Sequence, residues 1–277
     1  MSNSVPLIAL NSGTSIPQLG FGVFKVDPGV TQQVVEQALE IGYRHIDTAT
    51  GYDNETEVGA ALRAAGLPRD EVFVTTKLAN PHHKAGDVAG AFERSLEMLG
   101  LDHVDLYLIH WPLPLVGKYV DTWRTFEGFQ ADGRAKAVGV SNFNIPHLET
   151  LLDQTDLVPA VDQVELHPRF QQRELRAYLK EKGIAVEAWG PLGQGRWPLT
   201  EFPAITDPAK AHDKTPAQVI LRWHIQEGTI AIPKASQKAH AAANLDVFDF
   251  ALTDPELAAI EALDLGHRLG GDPDQIN

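Results

Sequence analysis

The chain has 277 residues, a formal net charge of −14, 43% hydrophobic residues and no cysteine. The acidic excess argues against a nucleic-acid or anionic-membrane surface, and the missing thiols exclude disulfides and thiolate chemistry. No apolar run approaches the roughly 18 residues of a membrane span. Met1 to Pro6 lacks the basic and apolar stretches of a signal peptide, so a cytoplasmic protein is expected.

The elements then follow in chain order. Asn11 to Thr14 joins two short apolar pieces and reads as a β-hairpin. A strand-like run at 19–22 precedes a helical segment near 31–41. Runs at 43–46, 72–76 and 104–109 precede helical segments near 55–65, 86–99 and 120–131. Runs at 137–140 and 160–163 precede segments near 145–153 and 171–182. A seventh run at 184–188 is followed by a helix that Thr215 caps and Pro216 begins. The eighth run is 229–232. Eight such units in a chain near the roughly 250 residues of an eight-fold barrel predict an α/β fold. The expectation is a (β/α)8 TIM barrel whose bottom the hairpin covers. No linker or compositional shift interrupts it, so residues 1–277 read as one domain.

Function in such barrels gathers at the C-terminal rim of the strands. Asp47 ends the second run, Tyr52 lies one short loop later, Lys77 ends the third and His110 ends the fourth. An acid, a phenol, an amine and an imidazole at one rim predict a catalytic site. A phenol has an ordinary pKa near 10. A neighbouring ammonium lowers it, so Lys77 is expected to bring Tyr52 down, with Asp47 holding the ammonium charged.

Taken singly, these residues allow other readings. Asp47 and Lys77 could be a plain ion pair, Tyr52 a packing aromatic and His110 a core histidine. His110 and His167 could serve a metal-dependent hydrolase or isomerase, but carboxylates and histidines do not fall together at matching strand ends. No metal is therefore expected. His82 and His83 read as a polar loop. A catalytically silent nicotinamide-binding barrel that senses redox state or binds a partner is the main alternative from another class.

Several longer motifs resemble one known family, the aldo-keto reductases. They are Gly42-Tyr43-Arg44-His45-Ile46-Asp47-Thr48-Ala49, Leu106-Tyr107-Leu108-Ile109-His110-Trp111-Pro112 and Val138-Gly139-Val140-Ser141-Asn142-Phe143, with Val164-Glu165-Leu166-His167-Pro168 and Ile232-Pro233-Lys234. Within that family, 189–195 and 244–250 resemble the bacterial 2,5-diketo-D-gluconate reductase group. The resemblance implies a monomer that reduces small carbonyls such as dicarbonyls and keto-sugars. Tyr52 would be the general acid and His110 would orient the substrate oxygen.

The resemblance also implies a nicotinamide site without a Gly-x-Gly-x-x-Gly fingerprint, which this chain lacks after its first strand. Ser141, Asn142 and Gln163 would hold the carboxamide, and Trp189 would stack on the ring. Gly190, Pro191, Leu192, Gly193 and Gln194 would wrap the pyrophosphate. Lys234, Ser236, His240 and Asn244 would serve the far phosphate of NADPH. Ala235 and His240 replace the usual Ser and Arg, which predicts a weakened preference for NADPH over NADH. Phe24, Ala49 and Trp111 would line the substrate pocket. Ala79 stands where relatives carry Trp, which predicts a wider pocket. The tail after Gly266 is too short for a long specificity loop.

Overall fold

A computed structural model describes residues 5–85 and 87–277. Two short strands come first, β1 (Leu7–Ala9) and β2 (Ser15–Pro17), paired antiparallel with Ile8 opposite Ile16. Eight strands follow, β3 (Phe21–Gly22), β4 (His45–Asp47), β5 (Phe73–Leu78), β6 (Val104–Ile109), β7 (Ala135–Ser141), β8 (Val161–Glu165), β9 (Ala185–Trp189) and β10 (Ile230–Ala231). They pair in chain order and all parallel. The ring closes between its first and last members. Gly20 N donates to Ala231 O at 2.9 Å, Ala231 N to Gln18 O at 3.0 Å and Gly22 N to Pro233 O at 3.2 Å.

The helices are α1 (Pro28–Ile41), α2 (Glu55–Ala65), α3 (Asn80–Ala85), α4 (Val88–Leu99), α5 (Tyr119–Ala131) and α6 (Ile145–Gln154). After them come α7 (Arg173–Glu181), α8 (Pro203–Ala211), α9 (Pro216–Gln226), α10 (Lys238–Leu245) and α11 (Asp254–Glu261). Local chemistry sets their ends. The Asp27 carboxylate accepts the Gly29 N–H at 2.8 Å ahead of α1, and Thr215 and Gln218 exchange bonds at the start of α9. Gly42 ends α1 at φ 121°, a backbone setting that side chains rarely adopt.

Four helices, α3, α8, α10 and α11, add to those read from periodicity. In α8 the internal Pro208 masked the helix, whereas α11 has a legible Thr253/Glu256 capping box. His82 and His83 lie in α3 rather than in a polar loop, and His83 is buried. Of the segment expected from 86, residue 86 itself lies outside the described residues, as does most of the N-terminal stretch read for a signal.

Alternation along the strands divides core from interior. Ile46, Val74, Tyr107, Ile109 and Val138 face the helices. Phe73, Leu106, Leu108, Ala137, Val161 and Ile230 face inward and pack with Leu10 and Ile16 of the hairpin region. The Asn11 side chain donates to Pro159 O at 3.0 Å and Gly183 O at 3.3 Å, tying the hairpin across the lower end of β8 and β9. The apolar plug thus closes the bottom, and the upper interior is left to polar side chains. Among the described residues, no helix is long and apolar enough to cross a membrane.

Candidate active site

Register brings the reacting groups together. Asp47 on β4 lies beside Thr75 of β5, so Asp47 at the end of its strand and Lys77 one residue short of the end of its own share the same inward face. Lys77 is fully buried and its ammonium uses all its donors. It donates to Asp47 Oδ1 at 2.7 Å and Oδ2 at 2.9 Å, to Thr48 O at 2.9 Å and to Tyr52 Oη at 3.3 Å. Tyr52 arrives on a single 3₁₀ turn, Thr50–Tyr52. The Thr50 hydroxyl pins that turn by donating to Lys77 O at 3.0 Å. Phe24 and His110 flank the phenol with ring centroids 5.0 and 5.7 Å away.

The electrostatics depart from expectation at one point. Burial pulls the Lys77 ammonium down, but Asp47 and Tyr52 outweigh it and the net shift is upward. For Tyr52, burial raises the pKa and Lys77 opposes it only in part, so the phenol lies above its ordinary value rather than below it. The desolvation of a phenolate exceeds the attraction of one ammonium already shared with Asp47. Burial, followed by the charge on Lys77, lowers His110 to about 3, so its imidazole is neutral. The floor therefore holds one ion pair, a protonated phenol and a neutral imidazole.

A second group of polar side chains forms the adjoining wall. Ser141 Oγ donates to Gln163 O at 2.8 Å, and Asn142 Nδ2 donates to Ser141 Oγ and His110 O, each at 3.0 Å. Trp189 Nε1 donates to Asn142 Oδ1 at 2.8 Å. Asn142 holds φ 63°, a left-handed setting that asparagine tolerates best among side-chain-bearing residues. Gln163 Nε2 is taken by two carboxyl oxygens, Asp47 Oδ2 at 2.8 Å and Glu187 Oε2 at 2.9 Å.

These groups line a cavity of about 650 Å³, within the range of small-molecule and cofactor sites. Phe24, Asp47, Tyr52, His110, Trp111, Ser141, Asn142, Gln163, Trp189, Gly190, Pro191, Leu192, Gln194 and Lys234 all reach it. Lys77 lies beneath it. Five other expected contacts fall outside. Ala49 is fully buried ahead of the Tyr52 turn, and Gly193 packs so close to the Trp197 indole that no side chain would fit. Ser236 and His240 are exposed, and Asn244 is buried in α10.

The sequence reading missed Lys25, Arg196, Gly270 and Gly271 of the lining, and Glu187 below it. Lys25 and Arg196 were signalled only as cations in loops after strands. They join Lys234 as positive groups at the mouth of an acidic protein. The tail reaches the mouth because the Leu269 and Gly270 amides donate to the Glu165 carboxylate at 2.5 and 2.7 Å, and Arg196 donates to Leu269 O. Asp274 accepts from Asn144 Nδ2 at 3.1 Å. His167 pairs with Glu165 at 3.1 Å and does not line the cavity. Among the described residues, no cluster of three or more His, Asp or Glu could hold a metal ion.

The wall offers hydrogen bonds and an indole face at one end, and the mouth offers cations at the other. That donor set fits a nicotinamide dinucleotide, whose ring is flat and amide-bearing and whose phosphates are anionic.

Comparison with known proteins agrees with this geometry. The family model described as "Aldo/keto reductase family" matches residues 18–265. An aldo-keto reductase of Mycolicibacterium smegmatis is 49% identical over 272 residues, covering 98% of each chain. A methylglyoxal reductase, DkgA, of Yersinia pestis is 48% identical over 269 residues, covering 97% of this chain and 96% of that one. The crystal structure of a Gox0644 mutant in complex with NADPH superposes with a TM-score of 0.94 at 42% identity, covering 99% of both chains. The chain belongs to the aldo/keto reductase family.

Proposed function

We propose that this protein reduces small aldehydes and ketones to alcohols with NADPH, with Tyr52 as the proton donor. The observation that carries the reading is the Lys77 ammonium, held by Asp47 and Thr48 O while 3.3 Å from the Tyr52 hydroxyl. NADPH, when bound, supplies the hydride to the carbonyl carbon. As negative charge develops on the carbonyl oxygen, Tyr52 Oη gives up its proton, and the phenolate left behind is stabilised by Lys77. The neutral His110 imidazole directs the same oxygen by a hydrogen bond. Trp189, Ser141, Asn142 and the Gln163 amide hold the nicotinamide, and Lys25, Lys234 and Arg196 serve the phosphates. Ser236, His240 and Asn244 are left to the far phosphate beyond Lys234. A relative named as a methylglyoxal reductase supports small dicarbonyls as substrates, and a structural neighbour crystallised with NADPH supports the cofactor.

Every group in this scheme comes from one chain, read as a single domain over 1–277 and as a cytoplasmic monomer. The test is oxidation of NADPH, and separately NADH, with methylglyoxal, phenylglyoxal and 2,5-diketo-D-gluconate. Turnover with NADPH is expected, with NADH accepted more weakly. Binding of NADPH without turnover of any carbonyl would instead favour a nicotinamide sensor.

A further inference from the structure

Below the reacting groups lies a second polar layer that carbonyl reduction has not yet used. The period of two along β9 puts Glu187 on the same inward face as Trp189, one step deeper, and along β4 it puts His45 below Asp47. Glu187 is fully buried. Its Oε2 accepts from Gln163 Nε2 at 2.9 Å, and that same nitrogen donates to Asp47 Oδ2 at 2.8 Å. Its Oε1 has no hydrogen-bond partner, and His45 Nε2 stands 3.5 Å from it. His45 Nε2 in turn lies 3.2 Å from Thr75 Oγ1.

The charged and titratable groups facing this layer are His45 and Asp47 from β4, Lys77 from β5, and Tyr52 above. Asp47 and Lys77 neutralise each other. An ionised Glu187 would be a buried anion without its own partner, which is costly. Burial, with the charge on Asp47 adding to it, pushes the Glu187 carboxyl up to about 8, and burial lowers His45 to about 3. Acid and imidazole are therefore both neutral near pH 7. A glutamine could accept the same N–H without holding a proton, yet the chain carries an acid there.

We propose that Glu187 is a positioning residue for carbonyl reduction. As a neutral acid it clamps the Gln163 amide against Asp47, and on ionising it makes Tyr52 a poorer proton donor. The second effect is electrostatic, since a negative charge beside Asp47 tightens the hold of Tyr52 on its proton. This inference rests on the reductase reading and extends it to a residue that touches neither substrate nor cofactor.

The experiment compares wild type with Glu187→Gln and Glu187→Leu across an alkaline pH series. It reads kcat for methylglyoxal and, separately, the Kd of NADPH from intrinsic tryptophan fluorescence. Wild-type kcat is expected to fall several-fold through an inflection near pH 8. Glu187→Gln should lack that fall while keeping neutral-pH kcat and Kd within about twofold of wild type. Glu187→Leu cannot accept from Gln163 and should raise Kd at least roughly fivefold at every pH. A Glu187→Gln enzyme with the wild-type alkaline fall would overturn the proposal, as would a Glu187→Leu protein that binds NADPH like wild type. Should Glu187→Leu fail to fold, the Glu187→Gln profile decides alone. Because binding is read apart from turnover, a protein inert toward methylglyoxal would count against the reductase reading while the Kd values still judged Glu187.

Discussion

The Trp189 indole donates its N–H to Asn142 Oδ1 across 2.8 Å, so one wall of the cavity is held in place by a residue that follows β7, two strands away. Asn142 also donates to His110 O and Ser141 Oγ. The Trp189 indole and the main chain of His110 are thereby joined through one side chain.

Trp189→Phe keeps a ring but removes the donor. The neutral hydrogen bond contributes about 1 kcal/mol, so NADPH affinity should fall roughly five- to tenfold. Isothermal titration calorimetry reads this directly. An unchanged Kd would mean that the indole N–H does not set the ring plane.

Lys77→Met strips the cation and leaves Asp47 buried without its partner. A loss of about 3–5 kcal/mol in stability is expected, with kcat reduced at least about 100-fold. Adding Asp47→Asn should restore much of the melting temperature but none of the turnover. Recovery of both together would make the pair structural only.

Glu187 links stability to pH with a defined sign. Its folded pKa of about 8 lies above the ordinary 4.5. Between those values the unfolded chain has released the proton and the folded chain keeps it, so stability from this group declines as pH rises through that window. Glu187→Gln has no such loss. Its melting temperature should match wild type near pH 4.5 and exceed it increasingly up to pH 8. A gap that stays flat over that window would show that Glu187 is not held as an acid.

Lys25, Lys234 and Arg196 supply positive charge at the mouth of a chain with net charge −14. Replacing Lys25 or Lys234 with Ala should weaken NADPH binding by roughly fivefold at low salt, and by less at high salt. A Kd indifferent to salt in wild type would argue that backbone amides alone hold the phosphates.

The groups at the rim were legible because strand period and strand ends are local properties. Asp47, Lys77 and His110 each terminate an apolar run, and parallel pairing in chain order then gathers them. Ala49 was read beside the substrate because Asp47 and Gly51 on either side of it reach the cavity, whereas its own side chain is fully buried and does not line it. Glu187 and the tail were hidden for a different reason. Which polar groups meet across the barrel, and that Glu165 pulls Leu269 and Gly270 over the mouth, depend on distant strands. The upward shift of Tyr52 was hidden too, since a motif shows its neighbours in charge but not its loss of water.

Tyr52→Phe tests the central claim most directly, with NADPH binding and methylglyoxal turnover measured on the same preparation. The account predicts a kcat lower by about 10² to 10⁴-fold with Kd for NADPH little changed. Turnover close to wild type would contradict it, because the proton would then come from a group other than the phenol beside Lys77.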